Sequence, residues 1–552
     1  MQIPKLFLLS SCLIVCILTL QSCQNKTETL PKHTIFRYNE SANIASLDPA
    51  FAKAQNHIWA CNQLFNGLVQ LDDDLRIQPD LAKSWEISTD GKTYTFHIKE
   101  AVFFHEHPAF GKEKTRKVFA SDFVYSLERL RNEKVASPGG WILQQVETIT
   151  AINATTLQIQ LKQPFPAFLG LLSMKYASVV PKEVVENVNH DFRTKPIGTG
   201  PFYVKHWEEN IKLVLRKNPN YFEKDNNGNS LPFLESVAIS FLPDKQAAYL
   251  LFLQGKLDFI SGLDPSYKDD LLTLDGKLQH KHQDKIKRLD SPYLNTEYLG
   301  FRLDGTHPMV KDIRVRKALN YGFNREQLVA YLRNNIGIAA NHGFIPKGMP
   351  GFTTFKGFDY QPELAKKYWE DFIKEHPNQT FSLTLQTNAN YADIGEFLQR
   401  EWKKIGIPIS VEVNPPSMLR QAIATGKVDF FRGSWIADYP DAENYLSLFY
   451  SKNFAPNGPN YTHFSNVEFD RVYEASFMQT NDSIRFQTYQ KLDQMVMEEA
   501  AIIPLFYDQV VRFTQKNVHG LGINPLNLLH LKRVQKEFKK RKIKLTSALI
   551  CF

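Results

Sequence analysis

Phe381-Ser-Leu-Thr-Leu-Gln386, the span Ile394 to Lys404 and Ile407-Pro-Ile-Ser-Val-Glu-Val413 read in turn as strand, helix and strand. Both outer runs alternate apolar and polar side chains, and the segment between them repeats its apolar positions at helical spacing. Strand–helix–strand at this spacing specifies an α/β unit with partly parallel sheet. Working outward, Pro362 to His376 reads as a helix with Ala365 and Tyr368 inward, and Val315 to Asn334 as helical. Thr93-Tyr94-Thr95-Phe96-His97-Ile98 follows the turn signal Asp90-Gly91 and reads as a hairpin strand. Ser121 to Glu128 looks like a capped helix start, and Ile35 to Asn39 like a short strand. Leu64-Phe65-Asn66-Gly67-Leu68 closes a helical stretch. No short repeat and no Gly/Ser linker interrupts the chain, so its domains are expected to be interleaved.

A length of 552 residues suits two or three domains. Hydrophobic residues at 43% and charged residues at 22%, with 27 Gly and 29 Pro, exclude collagen-like and largely disordered chains. Forty Phe, 22 Tyr and 7 Trp favour large cores or a ligand cleft. The net charge of +8 is unevenly placed. Lys532 to Phe552 holds eight basic residues against the single acid Glu537, leaving the rest nearly neutral. The basic field of a nucleic-acid binder is therefore missing, and the tail reads as an appendage.

Leu6 to Leu20 is almost wholly apolar after one lysine. Fifteen helical residues cover roughly 22 Å, short of a bilayer core of about 30 Å, so the segment reads as an export signal. Leu20-Gln21-Ser22-Cys23 resembles a bacterial lipobox, with Gln21 a departure from the usual residue. Cys23 is the expected lipidation site and Gln24 to Lys32 a tether. Cys61 and Cys551 are then too few for a disulfide framework or zinc site.

No nucleophile elbow, Walker loop or dinucleotide fingerprint is present, so no catalytic residue, cofactor or metal is expected. His105-Glu106-His107 reads as loop, and Asp225-Asn-Asn-Gly-Asn229 as a hairpin turn rather than a calcium loop. Arg432-Gly-Ser-Trp435-Ile-Ala-Asp438-Tyr439-Pro440-Asp441 stands apart. It follows a probable strand end, Asp429 to Phe431, and so reads as a loop where open α/β sheets hold ligands. Arg432 suits a carboxylate, Asp438 an ammonium, and Trp435 an apolar wall. An internal Arg–Asp pair beside a core Trp is an equal reading of these residues.

Nine blocks resemble, in order, the periplasmic oligopeptide- and dipeptide-binding proteins of ABC importers, the family 5 solute-binding proteins. They are Leu47-Asp48-Pro49, Leu64 to Leu68, Pro79 to Glu86, Asp90 to Phe96, Ala120 to Ser126, Gly198-Thr199-Gly200-Pro201-Phe202, Gly255 to Asp258, Asp312 to Leu319 and Trp435 to Tyr439. The resemblance implies an α/β, two-lobed flytrap with an inserted α/β domain. Carried onto this chain, lobe I takes 33–65, 196–292 and 513–534, the inserted domain 66–195 and lobe II 293–512. Residues 1–22 are the signal, 23–32 the tether and 535–552 a basic tail.

The resemblance also implies capture of a peptide between lobes that close by hinge motion. Asp438 would pair with the peptide ammonium and Arg432 with its carboxylate. Backbone near Lys53-Ala54-Gln55 and from Ser434 to Ile436 would flank the peptide like added strands. Arg302 and Arg333 are alternative carboxylate partners, and Tyr391 a candidate lining residue. The implied partners are an ABC permease and ATPase, with the chain a membrane-anchored monomer on the extracytoplasmic side that binds no nucleic acid. Other cargoes of the family (nickel chelate, haem, sugar) and, in another class, a secreted hydrolase are the alternatives.

Overall fold

The computed structural model describes residues 34–264 and 266–537. The leader, Cys23, the tether and the tail from Phe538 onward lie outside the described residues. An 11-stranded sheet runs through the molecule. From one end its order is Ile409–Val413, Leu383–Thr387, Phe430–Ile436, Ile286–Phe301, Ile502–Gln515, Phe259–Ser261, Ile35–Glu40, Ser236–Phe241, Lys212–Lys217 and Phe202–Glu208, with Ile338–Ala339 pairing Ile502–Gln515 off this path. Leu383–Thr387 and Ile409–Val413 pair in parallel, with the helix Ala392–Lys404 between them in sequence, as the opening stretch predicts.

Two strands are unusually long, Ile286–Phe301 and Ile502–Gln515, and they pair antiparallel along nearly their whole length. Their register shifts twice: at the centre Pro292 faces Gln509 and Thr296 faces Tyr507, so three residues on one strand oppose Asp508 alone, and a smaller shift follows between Glu297 and Tyr298. Proline has no N–H for the ladder, and a bulge bends the strand that carries it. The break places Tyr293 and Asp508 between the two halves of the sheet. The second strand runs on past Asp508 to Gln515.

A separate antiparallel sheet, Ala82–Ile87, Thr93–Ile98, Thr156–Leu161 and Val146–Asn153, forms the inserted domain. The helix Ala120–Arg131 covers it, and Asp122 accepts from the Phe119 N–H at 2.8 Å to fix the helix start. Its core (Phe96, Phe123, Leu127, Leu157 and Ile159) is continuous with that of the adjoining lobe through Leu64, Phe65 and Phe202. The other lobe packs its sheet between two apolar layers, one holding Phe301, Trp402 and Phe430, the other Phe344, Tyr445 and Phe449.

Three expectations change. The helical stretch expected over Val315 to Asn334 divides into two helices, Ile313–Tyr321 and Arg325–Arg333, because Asn324 caps a new helix through the Gln327 N–H after Gly322. Arg432 to Ile436 do not form a loop: they continue the strand from Phe430 and pair with Asn295 to Leu299. The tail does not begin at Gln535, since Gln535–Lys536 pairs with Val518–His519. Lys536 reaches the buried Asp258 at 2.7 Å and Lys532 reaches Glu223 at 2.8 Å, so two of the tail's cations are internal ion pairs.

Candidate functional site

The strand Phe430–Ile436 is bonded to Ile286–Phe301 on one edge. On the other, Leu383–Thr387 reaches it only at Phe431, so among the described residues the edge from Arg432 to Ile436 carries no strand. Just beyond it the Ala437 N–H donates to the Leu294 carbonyl at 2.8 Å, and the Tyr445 hydroxyl donates to the same carbonyl at 2.7 Å. These bonds tie the Asp438 turn to the bulge of the long strand.

Asn444, which sequence reasoning missed, organises this turn. Its Oδ1 accepts from Trp435 Nε1 at 2.9 Å and from the Asp438 N–H at 3.2 Å, while its Nδ2 donates to Asp438 Oδ2 at 3.5 Å. The Asp438 side chain is exposed to the cleft, and the protein around its carboxyl raises it above the usual range through desolvation. Among the described residues it has no cationic partner.

Asp438 and Ile436 line a cavity of about 200 Å³ together with Lys53, Gln55, Lys175 and Tyr176. A second cavity of about 390 Å³ shares Gln55, Trp59 and Tyr293 with it and extends to Glu40, Arg333, Tyr391 and Asp508. Residues from both lobes and the inserted domain therefore bound one cleft. Ala54 lies beside it in extended backbone, capping the helix Gln55–Leu64. Burial pushes the Glu40 carboxyl up to about 8, and its Oε1 has no hydrogen-bond partner. Glu40 is a second acid of the cleft that the sequence did not single out.

The arginines are disposed differently from the expectation. Arg432 hydrogen-bonds Glu297, with side chains 10% and 3% exposed, and its guanidinium lies 3.3 Å from the centroid of the Tyr391 ring. Arg333 pairs with Asp508 at 3.1 Å. Each cleft arginine thus carries its own carboxylate, and the partner of Arg432 is Glu297 rather than Asp438. Glu297 left no signal in the sequence because it stands 135 residues away and meets Arg432 only through strand register. Arg302 does not join the cleft. It lies past the end of the long strand, bonded to Asp304 at 2.9 Å, eight residues and so roughly 26 Å from Leu294 at the Asp438 turn. Ser434 and Ile436 stand on the open strand edge, opposite Glu297 and Asn295.

His105 is a structural histidine, its ring bonded to the Gly200 carbonyl at 2.9 Å. Among the described residues no group of three His, Cys, Asp or Glu side chains could hold a metal ion. No helix of these residues is long and apolar enough to cross a membrane.

Known proteins match this architecture over most of its length. A dipeptide-binding protein of Escherichia coli is 24% identical over 500 residues, 86% of this chain and 89% of that protein. The glutathione-binding protein GsiB of Escherichia coli is 26% identical over 499 residues, 88% of this chain and 91% of that protein. The solved murein tripeptide binding protein MppA of Escherichia coli superposes with a TM-score of 0.74 at 26% identity, covering 92% of this chain and all of that one. The peptide-bound DppA of Helicobacter pylori gives a TM-score of 0.77 at 22% identity, over 92% and 99% of the two chains. The model of the bacterial extracellular solute-binding proteins, family 5, matches residues 76–457. With that span matched and these relatives aligned over most of their length, the chain belongs to the family 5 solute-binding proteins, substrate-binding components of ABC importers.

Proposed function

We propose that this protein captures short peptides between its lobes and presents them to a permease and its ATPase. The observation that carries the reading is Asp438, a carboxylate open to the cleft at the end of an open strand edge and, among the described residues, without a cationic partner. A peptide ammonium supplies the missing charge, and the backbone from Arg432 to Ile436 can extend its ladder to an incoming chain. The names of relatives that bind dipeptides, murein tripeptide and glutathione support the same class of cargo. The ammonium end is the stronger determinant, because Arg432 and Arg333 share their charge with Glu297 and Asp508. A peptide carboxylate must compete with those acids. Anchorage through lipid on Cys23 and action as a monomer complete the proposal.

The test is calorimetry with a free and an N-acetylated tripeptide. The free form binds the wild type at least tenfold more tightly, equivalent to about 1.4 kcal/mol, and Asp438→Asn removes that preference. Equal affinity of the two peptides for the wild type overturns the reading.

A further inference from the structure

Lys175 begins the short turn Lys175–Ala177 of the inserted domain and lines the same cavity as Asp438 and Tyr176. Its ammonium makes no hydrogen bond and has no carboxylate within 4 Å among the described residues. Burial draws it below the ordinary lysine value, opposed by Asp80 and Cys61 and reinforced by Lys532. These neighbours are already engaged. Asp80 accepts from Asn66 Nδ2 at 2.8 Å and from the Gly67 N–H at 3.0 Å, and Lys532 pairs with Glu223. On the cleft side, Tyr176 is close enough to Asp438 for that charge to add to burial in pushing its hydroxyl up to about 12. The cavity that Asp438 lines is therefore also lined by a half-buried cation with no carboxylate within 4 Å among the described residues.

A half-buried ammonium without a close counter-charge has lost part of its hydration, and a charged or strongly polar partner restores it. If a peptide's ammonium sits at Asp438, its first side chain, one Cα away, falls within reach of this same cavity. We propose that Lys175 is a specificity-determining residue that selects peptides whose first residue bears a carboxylate side chain. The assignment rests on the peptide reading above. A carboxylate reaching Lys175 forms a charge-assisted hydrogen bond, whereas the isosteric amide offers no charge and an alanine offers nothing. The competing assignment is that Lys175 serves only as a distant counter-ion of Asp80.

Calorimetry with Glu-Ala-Ala, Gln-Ala-Ala, Ala-Ala-Glu, Ala-Ala-Gln and Ala-Ala-Ala separates these cases. The wild type binds Glu-Ala-Ala at least tenfold more tightly than Gln-Ala-Ala, shows no such gain for Ala-Ala-Glu over Ala-Ala-Gln, and loses the first preference in Lys175→Met. Equal affinity for the two first-position peptides overturns the proposal from the wild type alone, whether or not the variant folds. A preference that survives in Lys175→Met overturns it as well. Uniform weakening of every peptide with a lowered melting temperature assigns Lys175 to Asp80 and overturns the selective role. If Ala-Ala-Ala and every other peptide fail to bind, the peptide reading itself falls, and this inference with it.

Discussion

Arg432 could meet a ligand or an internal acid, and the fold directs it first to Glu297. Side chains on facing positions of antiparallel strands lie close, and the register Leu299–Arg432 and Glu297–Ser434 brings the guanidinium diagonally onto the carboxylate. Both groups are nearly inaccessible, so removing one strands the other. Arg432→Ala is expected to lower stability in urea by about 3–5 kcal/mol. Combining it with Glu297→Gln should recover a large part of that loss. A single variant as stable as the wild type would contradict a buried pair here. Asp438 contrasts with this pair: its neutral neighbour Asn444 holds the turn without supplying charge, so its carboxylate remains available to a ligand.

Among elements, the short strand Gln535–Lys536 shows how a segment that reads as an appendage can belong to the core. Lys536 crosses to Asp258, whose side chain is 2% exposed and whose Oδ2 also accepts from the Arg37 N–H at 2.8 Å. Its Nζ also donates to the Ile35 carbonyl at 3.2 Å. Lys536→Met leaves Asp258 buried without its cation. The urea midpoint is expected to fall clearly, and Asp258→Asn in the same chain to restore part of it. An unchanged midpoint for Lys536→Met would return the strand to the tail. The two long strands have a different role. Their central bulge breaks the ladder where the lobes meet, and the residues opposed there, Tyr293 and Asp508, face the cleft.

Across the whole molecule, buried titratable groups set how stability depends on pH. Burial pushes Glu40 up to about 8, Glu443 up to about 7 and Asp493 up to about 6. Each holds a proton in the folded chain that it releases in the unfolded chain above its ordinary carboxylate value. Their contribution to stability is therefore lost progressively as pH rises through those values. His105 and His530, drawn down by burial to about 4 and about 3, act in the opposite sense. Unfolding lets them take up a proton below their usual value near 6.5, so stability also falls on the acid side. From these groups the melting temperature of the ligand-free protein should be highest near about pH 5 and fall on either side. Glu40→Gln should raise it by about 2 °C or more at pH 8.5 while changing it little at pH 5. An equal change at both pH values would remove Glu40 as the source.

The sequence by itself determined the α/β class, the strands flanking Ile394 to Lys404, and the Trp435-to-Asp438 segment as the place to look. Apolar periodicity and turn chemistry are local properties, and a run of family-like blocks preserves its order along the chain. What only the tertiary structure decided was which charges meet. Glu297 reaches Arg432, Asp508 reaches Arg333 and Asp258 reaches Lys536 across hundreds of residues or across strand register, while Arg302 is carried roughly 26 Å down its strand from the cleft. Lys175 and Asp438 likewise come from different domains and share a cavity only once these are packed together. An ion pair depends on a few ångströms of through-space distance, and that distance is fixed by strand pairing and domain packing rather than by spacing along the chain.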